Sequence, residues 1–377
     1  MIEEAHARVR KLYGSTIGGG REAPVTPALI LDLDLVRSNT TRIHDRLATM
    51  PAKLRPHVKT HKSPHLARMQ MEGGAIGVCC ATVWEAAVMV EAGVPEVFVV
   101  NEVVDAVRIR TLVSLAEKAR ILVAVDDAGN AAELSRVASA AGVELGVLID
   151  VNNGQQRCGV DTAEAALDLA RAIVPLPGLR FDGLTGYEGH CSMELDGEKR
   201  AGLQREAMAM FVGVADLLEA NGIPCQILSA GGTATWDLTA ANPRITEIQA
   251  GSYLLMDRYH DQMVGGFAPA LTVLATVISR PPGRLITDCG SKSIGDPDIS
   301  IVLGHDLKLN RFDEEHGLYE VDNSYPLRIG DRIELMPGYT PYTINYYDAY
   351  HVMEGGRIVD VWPVIPRGPM HHGLARV

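Results

Sequence analysis

Positive charge is in short supply in this chain. Its 35 Lys and Arg stand against 47 Asp and Glu, a net charge of −12 over 377 residues, which argues against nucleic acid or an anionic membrane as a partner. No apolar run approaches the roughly eighteen residues of a membrane span. The opening MIEEAHARVRKLYG is charged and amphipathic, without the apolar core of a signal peptide. Six cysteines (79, 80, 158, 191, 225 and 289) show no CxxC spacing for a metal or a redox couple. Adjacent Cys79 and Cys80 would face opposite sides of a strand, which suits buried free thiols in a reducing compartment. What is left is ordinary: 47% hydrophobic and 22% charged residues, a cytoplasmic globular chain, by size and character an enzyme, long enough for one large domain and a smaller one.

From Thr26 onward apolar strands and amphipathic helices alternate. The strands are TPALILDLDL, LRPHVKTH, AIGVCCA, EVFVVNE, RILVAVDD, ELGVLIDV, LRFDGLTGYEG and CQILSAGG. They are apolar throughout, as parallel strands covered on both faces are. Eight β/α units predict a (β/α)8 TIM-like barrel over residues 26–265. An open doubly wound sheet is the alternative, but no GxGxxG follows the first strand. After residue 265 short strands and Pro/Gly turns replace the long helices, so 266–377 reads as a C-terminal β domain. Residues 1–25 form an N-terminal arm expected to pack with that domain.

Within LRPHVKTHK, Arg55, His57, Lys59 and His61 fall at alternate positions. On a strand they would share one face. If that face lines a pocket, repulsion and desolvation lower the pKa of Lys59 toward the neutral amine that Schiff-base chemistry needs; a solvated edge strand is the alternative. Barrel active sites form at the C-terminal strand ends. In this chain those ends carry Lys59 and His61, Asn101 and Glu102, Asp126, Asp150 with Asn152, Asn153 and Arg157, then Tyr187, Glu188 and His190, and finally SAGGT, Ser229 to Thr233. In that last stretch backbone amides and the hydroxyls of Ser229 and Thr233 offer a phosphate cradle. A Schiff-base lysine, a phosphate turn and a barrel joined to a β domain point to pyridoxal phosphate.

Taken together, TPALILDLD, RPHVKTHK, GAIGVCCATVWEA, IDVNNGQQRCGV, GYEGH, AGGT, EIQAGSYLLMD, EEHG and DVWPVIPRG resemble the motifs of the D-threonine aldolase and D-serine dehydratase group, pyridoxal phosphate enzymes with an alanine racemase-type (fold type III) barrel. The resemblance runs from about Thr26 to Gly368. It implies that Lys59 carries the cofactor, with His57 beside it to orient the lysine or pack in the barrel. Arg157 would contact the cofactor's phenolic oxygen or the substrate carboxylate, with Tyr187 and His190 alongside. Gly231, Gly232 and Thr233 would meet the phosphate, and Gly251, Ser252 and Tyr253 would complete its cup.

One stretch departs from the family pattern. Where the family carries PxHxD or PxHxC, this chain reads Pro337-Gly338-Tyr339-Thr340-Pro341. Tyr339 and Pro341 thus occupy the two metal-ligand positions, and proline has no side-chain donor. The family's divalent metal is therefore expected to be absent; a relocated site would have to draw on His316, Asp348 or His351. The implied function is a lyase that cleaves a D-configured β-hydroxy amino acid to glycine and an aldehyde, with His190 as base and Tyr339 at the β-oxygen. A racemase or epimerase, a D-serine dehydratase-like β-eliminase and a non-catalytic cofactor-binding protein are the alternatives. The resemblance also implies a homodimer with shared active sites.

Overall fold

The computed structural model describes residues 1–368; residues 369–377 of the expected 266–377 β domain lie outside the described residues. The chain forms two compact units, one of Met1–Arg42, Thr60–His65 and Ser252–Gly368, the other of Ile43–Lys59 and Leu66–Gly251. The first strand, β1 (Ala28–Asp32), belongs to the former. The latter is the barrel. Its strands are β2 (Lys53–Leu54), β3 (Val78–Cys80), β4 (Glu96–Glu102), β5 (Arg120–Val125), β6 (Leu145–Asp150), β7 (Leu179–Thr185), β8 (Ile227–Ala230) and β9 (Glu247–Ile248).

These eight strands run parallel in the order β2-β9-β8-β7-β6-β5-β4-β3. The ring closes where Ile76 N–H donates to Leu54 O, Cys79 N–H donates to Pro56 O, both at 2.9 Å, and His57 bridges Cys79. Cys79, Phe98, Leu122, Ala124 and Leu148 form a buried cluster on β3 to β6. The helices that follow begin on sequence-encoded caps. Thr82, Asp105, Asp127, Thr162 and Asp196 each accept a hydrogen bond from an amide in the first turn of the helix they precede. That fixes where each loop ends. No helix among the described residues is long and apolar enough to cross a membrane.

Two expectations about the strands need correction. TPALILDLDL does not open the barrel: β1 pairs antiparallel with β10 (Leu271–Ser279) and parallel with β16 (Ala349–Glu354) in the other unit. The eighth barrel strand is β9, two residues long. A short apolar strand covered on both faces reads the same in either sheet, and a two-residue strand has no periodicity to read. LRPHVKTH is likewise not one continuous strand: β2 stops at Leu54, and Val58–Thr60 form a 3-10 turn. The four basic residues therefore do not line one face, and the segment is not a solvated edge, since Arg55, His57 and His61 are buried.

In the first unit the remaining strands are β11 (Arg284–Thr287), β12 (Ile301–Val302), β13 (Lys308–Phe312), β14 (Gly317–Glu320), β15 (Arg332–Met336) and β17 (Arg357–Pro363). They form one mainly antiparallel sheet with β1, β10 and β16, ordered β13-β14-β11-β10-β1-β16-β17, with β15 beside β10 and β12 beside β15. The N-terminal helix Ile2–Tyr13 contributes Val9 to a small core with Ala349 and Val361.

Candidate active site

Lys59 lies in the 3-10 turn just past β2, at the C-terminal end of the barrel. Its backbone N–H donates to Nδ1 of buried His57 at 3.4 Å, which ties the turn to the residue that closes the ring. Lys59 Nζ stands 6.0 Å from the centre of the Tyr187 ring, and Arg157 Cζ stands 5.8 Å from the same ring. Neither forms a salt bridge among the described residues, although Glu85 acts on Lys59 and Arg157 on Asp150 at longer range. Burial lowers the pKa of Lys59, and the Arg157 guanidinium lowers it further. The expected direction therefore holds, but the repelling charge comes from the loop after β6 and not from Arg55. Arg55 is neutralised elsewhere, with Nε and Nη2 each 2.9 Å from the Glu247 carboxylate and Nη2 2.5 Å from Glu96.

Arg157 sits on a loop that leaves β6 and returns at once, closed at its base by the Val151–Val160 bridge. Asn152 Oδ1 accepts from Gln156 N–H at 2.9 Å, Asn152 Nδ2 donates to Asp161, and Asp126 accepts from Gly159 N–H. Asn152 is thus an anchor of the loop. Asp150 beneath it has its carboxyl pushed up to about 7, by burial first and then by Glu102. Asn153 is buried with neither side-chain amide atom hydrogen-bonded.

Tyr187 and His190 follow β7. Burial raises the Tyr187 phenol's pKa, which keeps it neutral, against a hydrogen bond from Ser192. The ring is clasped by backbone: a Cβ added at Gly189 would lie 2.4 Å from Tyr187 Cε1, and one at Gly232 2.9 Å from Cε2. Both positions need glycine because the aromatic ring occupies the space. The His190 ring lies against Gly154 of the Arg157 loop, where an added Cβ would come within 2.6 Å. Its Nδ1 is buried without a partner, and its Nε2 is 3.6 Å from Cys191 Sγ.

The turn after β8 differs from the cradle expected for it. Ser229 is buried and its hydroxyl accepts from Gln249 Nε2 at 2.9 Å. Gly231 N–H donates to Glu188 Oε2 and Gly232 N–H to Thr235 Oγ1. The two glycine amides are therefore spent inside the protein, because a buried carboxylate and a hydroxyl reach them first. Thr233 is buried in the same turn. Gly251 ends the barrel unit, whereas Ser252 and Tyr253 begin a 3-10 turn of the other unit, with the Tyr253 ring 5.8 Å from Phe267.

Tyr339 precedes the short helix Thr340–Thr343, within which Pro341 is buried. Its ring meets those of Tyr342 at 4.8 Å and of Tyr259 and His260 at 6.1 Å. Sequence reading passed over His260 and Asp257, which form a buried pair with Nδ1 to Oδ1 at 2.7 Å, while Asp257 Oδ2 accepts from Thr340 N–H. Their signal was an Asp and a His three apart at a helix start. Two of the three donors considered for a relocated metal are occupied: Asp348 binds Arg367, and buried His351, its pKa lowered to about 4 by burial, meets Thr16 Oγ1. His316 is exposed. No three His, Cys, Asp or Glu side chains among the described residues assemble a set able to hold a metal ion.

Comparison with known proteins gives this geometry a family. Residues 31–259 match the family described as alanine racemase, N-terminal domain, and residues 270–353 match a serine dehydratase domain. The D-threonine aldolase of Arthrobacter sp is 36% identical over 353 residues, covering 91% of this chain and 93% of that protein. The chain belongs to the D-threonine aldolase family. The 3-hydroxy-D-aspartate aldolase of Paracoccus denitrificans (strain Pd 1222) is 35% identical, covering 91% of this chain and 92% of that one. The crystal structure of D-threonine aldolase from Filomicrobium marinum superposes with a TM-score of 0.90 at 33% identity, over 93% of this chain and 98% of the other. The fold is that of the D-threonine aldolase family, an alanine racemase-type barrel with a separate, mainly antiparallel C-terminal sheet, and the family implies pyridoxal phosphate. The residues at the barrel mouth fit that cofactor: a lysine with depressed pKa, an arginine without a salt bridge and a glycine turn set close against a tyrosine.

Proposed function

We propose that the protein is a pyridoxal phosphate-dependent lyase that cleaves D-configured β-hydroxy amino acids between Cα and Cβ, releasing glycine and an aldehyde. The observation that carries this reading is the convergence of Lys59 and Arg157 on the Tyr187 ring, with neither side chain in a salt bridge among the described residues. A lysine held toward its neutral amine beside an arginine with no salt bridge calls for an anionic ligand that an amine can attack. Lys59, held toward its neutral form, is the amine that bonds to the cofactor and gives way to the substrate amine. When bound, pyridoxal phosphate supplies the electron sink for the bond that breaks. Arg157 faces an anionic oxygen of cofactor or substrate. Tyr187 supplies a neutral aromatic wall.

His190 takes the β-hydroxyl proton as the Cα–Cβ bond opens, and its partnerless Nδ1 is free to be aimed by the substrate. The Cβ carbon leaves as the aldehyde, and a proton returned to Cα completes glycine. The family's divalent metal does not fit the residues at its usual positions, Tyr339 and Pro341, so no step is assigned to one. Tyr339 is placed in the same proposal as a hydrogen-bond donor to the β-oxygen, acting from a second copy of the chain in a cytoplasmic homodimer.

The test is product analysis of chelator-treated, cofactor-loaded protein given D-threonine, D-phenylserine and D-serine. Glycine plus the matching aldehyde from the first two is the expected result. Inverted amino acid without glycine would make the protein a racemase, pyruvate from D-serine alone would make it an eliminase, and activity restored only by added divalent metal would overturn the metal-free part.

A further inference from the structure

Glu188 lies between the two site residues Tyr187 and His190, yet it points away from both, into the protein. It is fully buried. Its Oε1 accepts from Thr235 Oγ1 at 2.7 Å and Thr239 Oγ1 at 2.6 Å, and its Oε2 accepts from Gly231 N–H at 3.2 Å. The network extends further: Gly232 N–H donates to Thr235 Oγ1, and Gln204 Nε2 donates to Thr239 Oγ1. No Lys, Arg or His among the described residues forms an ion pair with Glu188. A carboxylate at this depth without a cation is an expensive way to satisfy three donors, which water or a neutral amide could serve.

The donors it gathers show what it does. All three belong to the turn after β8 and the helix that follows, so one side chain ties the β7 loop, carrying Tyr187 and His190, to that turn. It holds Gly231 in the left-handed region at φ +81° and draws both glycine amides inward. With the amides drawn inward, Gly232 sits so close to the Tyr187 ring that an added Cβ would come within 2.9 Å of it. We infer that Glu188 is a positioning residue for the phosphate end of the cofactor: it sets the conformation of the Gly231–Thr235 turn and its spacing from Tyr187, while the glycine amides serve the turn and do not contact the ligand. This inference rests on the proposed cofactor.

The experiment compares the affinity of the apo protein for pyridoxal phosphate with that for pyridoxal, which lacks the phosphate, by equilibrium dialysis, with apo melting temperature recorded in parallel. Wild type is expected to prefer the phosphorylated ligand. Glu188→Gln is expected to lower that preference roughly tenfold, about 1.4 kcal/mol, with pyridoxal affinity nearly unchanged. Thr235→Val, which removes the hydroxyl linking Gly232 to Glu188, is expected to act in the same direction and carries the test if Glu188→Gln does not fold; Thr235→Ser is expected to restore the wild-type ratio. An unchanged ratio, or equal loss for both ligands with a lower melting temperature, would make Glu188 structural only and overturn the inference. A wild-type protein indifferent to the phosphate would instead overturn the cofactor reading beneath it.

Discussion

Replacing Arg55 by Met tests how the barrel is held shut at the foot of the active-site turn. Arg55, the residue just past β2, is tied to β9 through a two-pronged contact with Glu247, both distances 2.9 Å, and reaches β4 through Glu96. The Arg55 and Glu247 side chains are only 2% and 3% exposed. Glu96 keeps a second partner, Arg120 at 3.0 Å, so the group orphaned by the substitution is Glu247. Breaking a buried pair from one side costs about 3–5 kcal/mol, because a charge remains in a medium that solvates it poorly. For a unit of this size that corresponds to a loss of roughly 10 °C in melting temperature. Removing both charges, Arg55→Met with Glu247→Leu, eliminates the orphan and is expected to recover most of the loss. The assay is thermal and urea unfolding of wild type, both single variants and the double variant. The reasoning is refuted if Arg55→Met costs under about 1 kcal/mol, or if the double variant is as unstable as the sum of the singles.

Two further predictions concern titrating groups of the site. Arg157→Met removes the cation that helps depress Lys59, so in the apo protein the pH midpoint for trapping Lys59 with an aldehyde and a reductant, followed by peptide mass spectrometry, is expected to move upward; no movement would leave burial as the whole cause. Asp150, its carboxyl pushed up to about 7, binds its proton more tightly folded than unfolded, so its contribution to stability is lost as pH rises from about 4 through about 7. Asp150→Asn is expected to flatten that fall in urea midpoints measured across the range, and an unchanged slope would show that the charge of Asp150 does not limit stability.

Motifs and alternation carried much of this protein because local chemistry demands particular residues in particular places. Lys59, Arg157, Tyr187 and His190 were legible as a group because barrel strands end where their loops begin, and loop polar residues gather there. The caps of the barrel helices are local in the same way, since Thr82 or Asp127 acts on amides within its own next turn.

Other features depend on partners distant in the chain, and no local pattern announces them. Whether Ala28–Asp32 joins the barrel or the antiparallel sheet is decided by β10 and β16, more than 200 positions away. Arg55 and Lys59 looked like neighbours on one face, but the strand ended at Leu54, before both of them. Glu247 then took the charge of Arg55, and Arg157 became the neighbour of Lys59. The glycines of AGGT read as phosphate ligands from their sequence, and only folding brings Glu188 and Thr235 to their amides. By itself, then, the sequence determined the fold class and which polar residues gather at the barrel mouth, Lys59 among them, since those follow from residue type and short-range spacing. Tertiary structure alone decided which charges are compensated, which amides are spent and which strand closes the ring, because each depends on groups that only folding brings within a few ångströms.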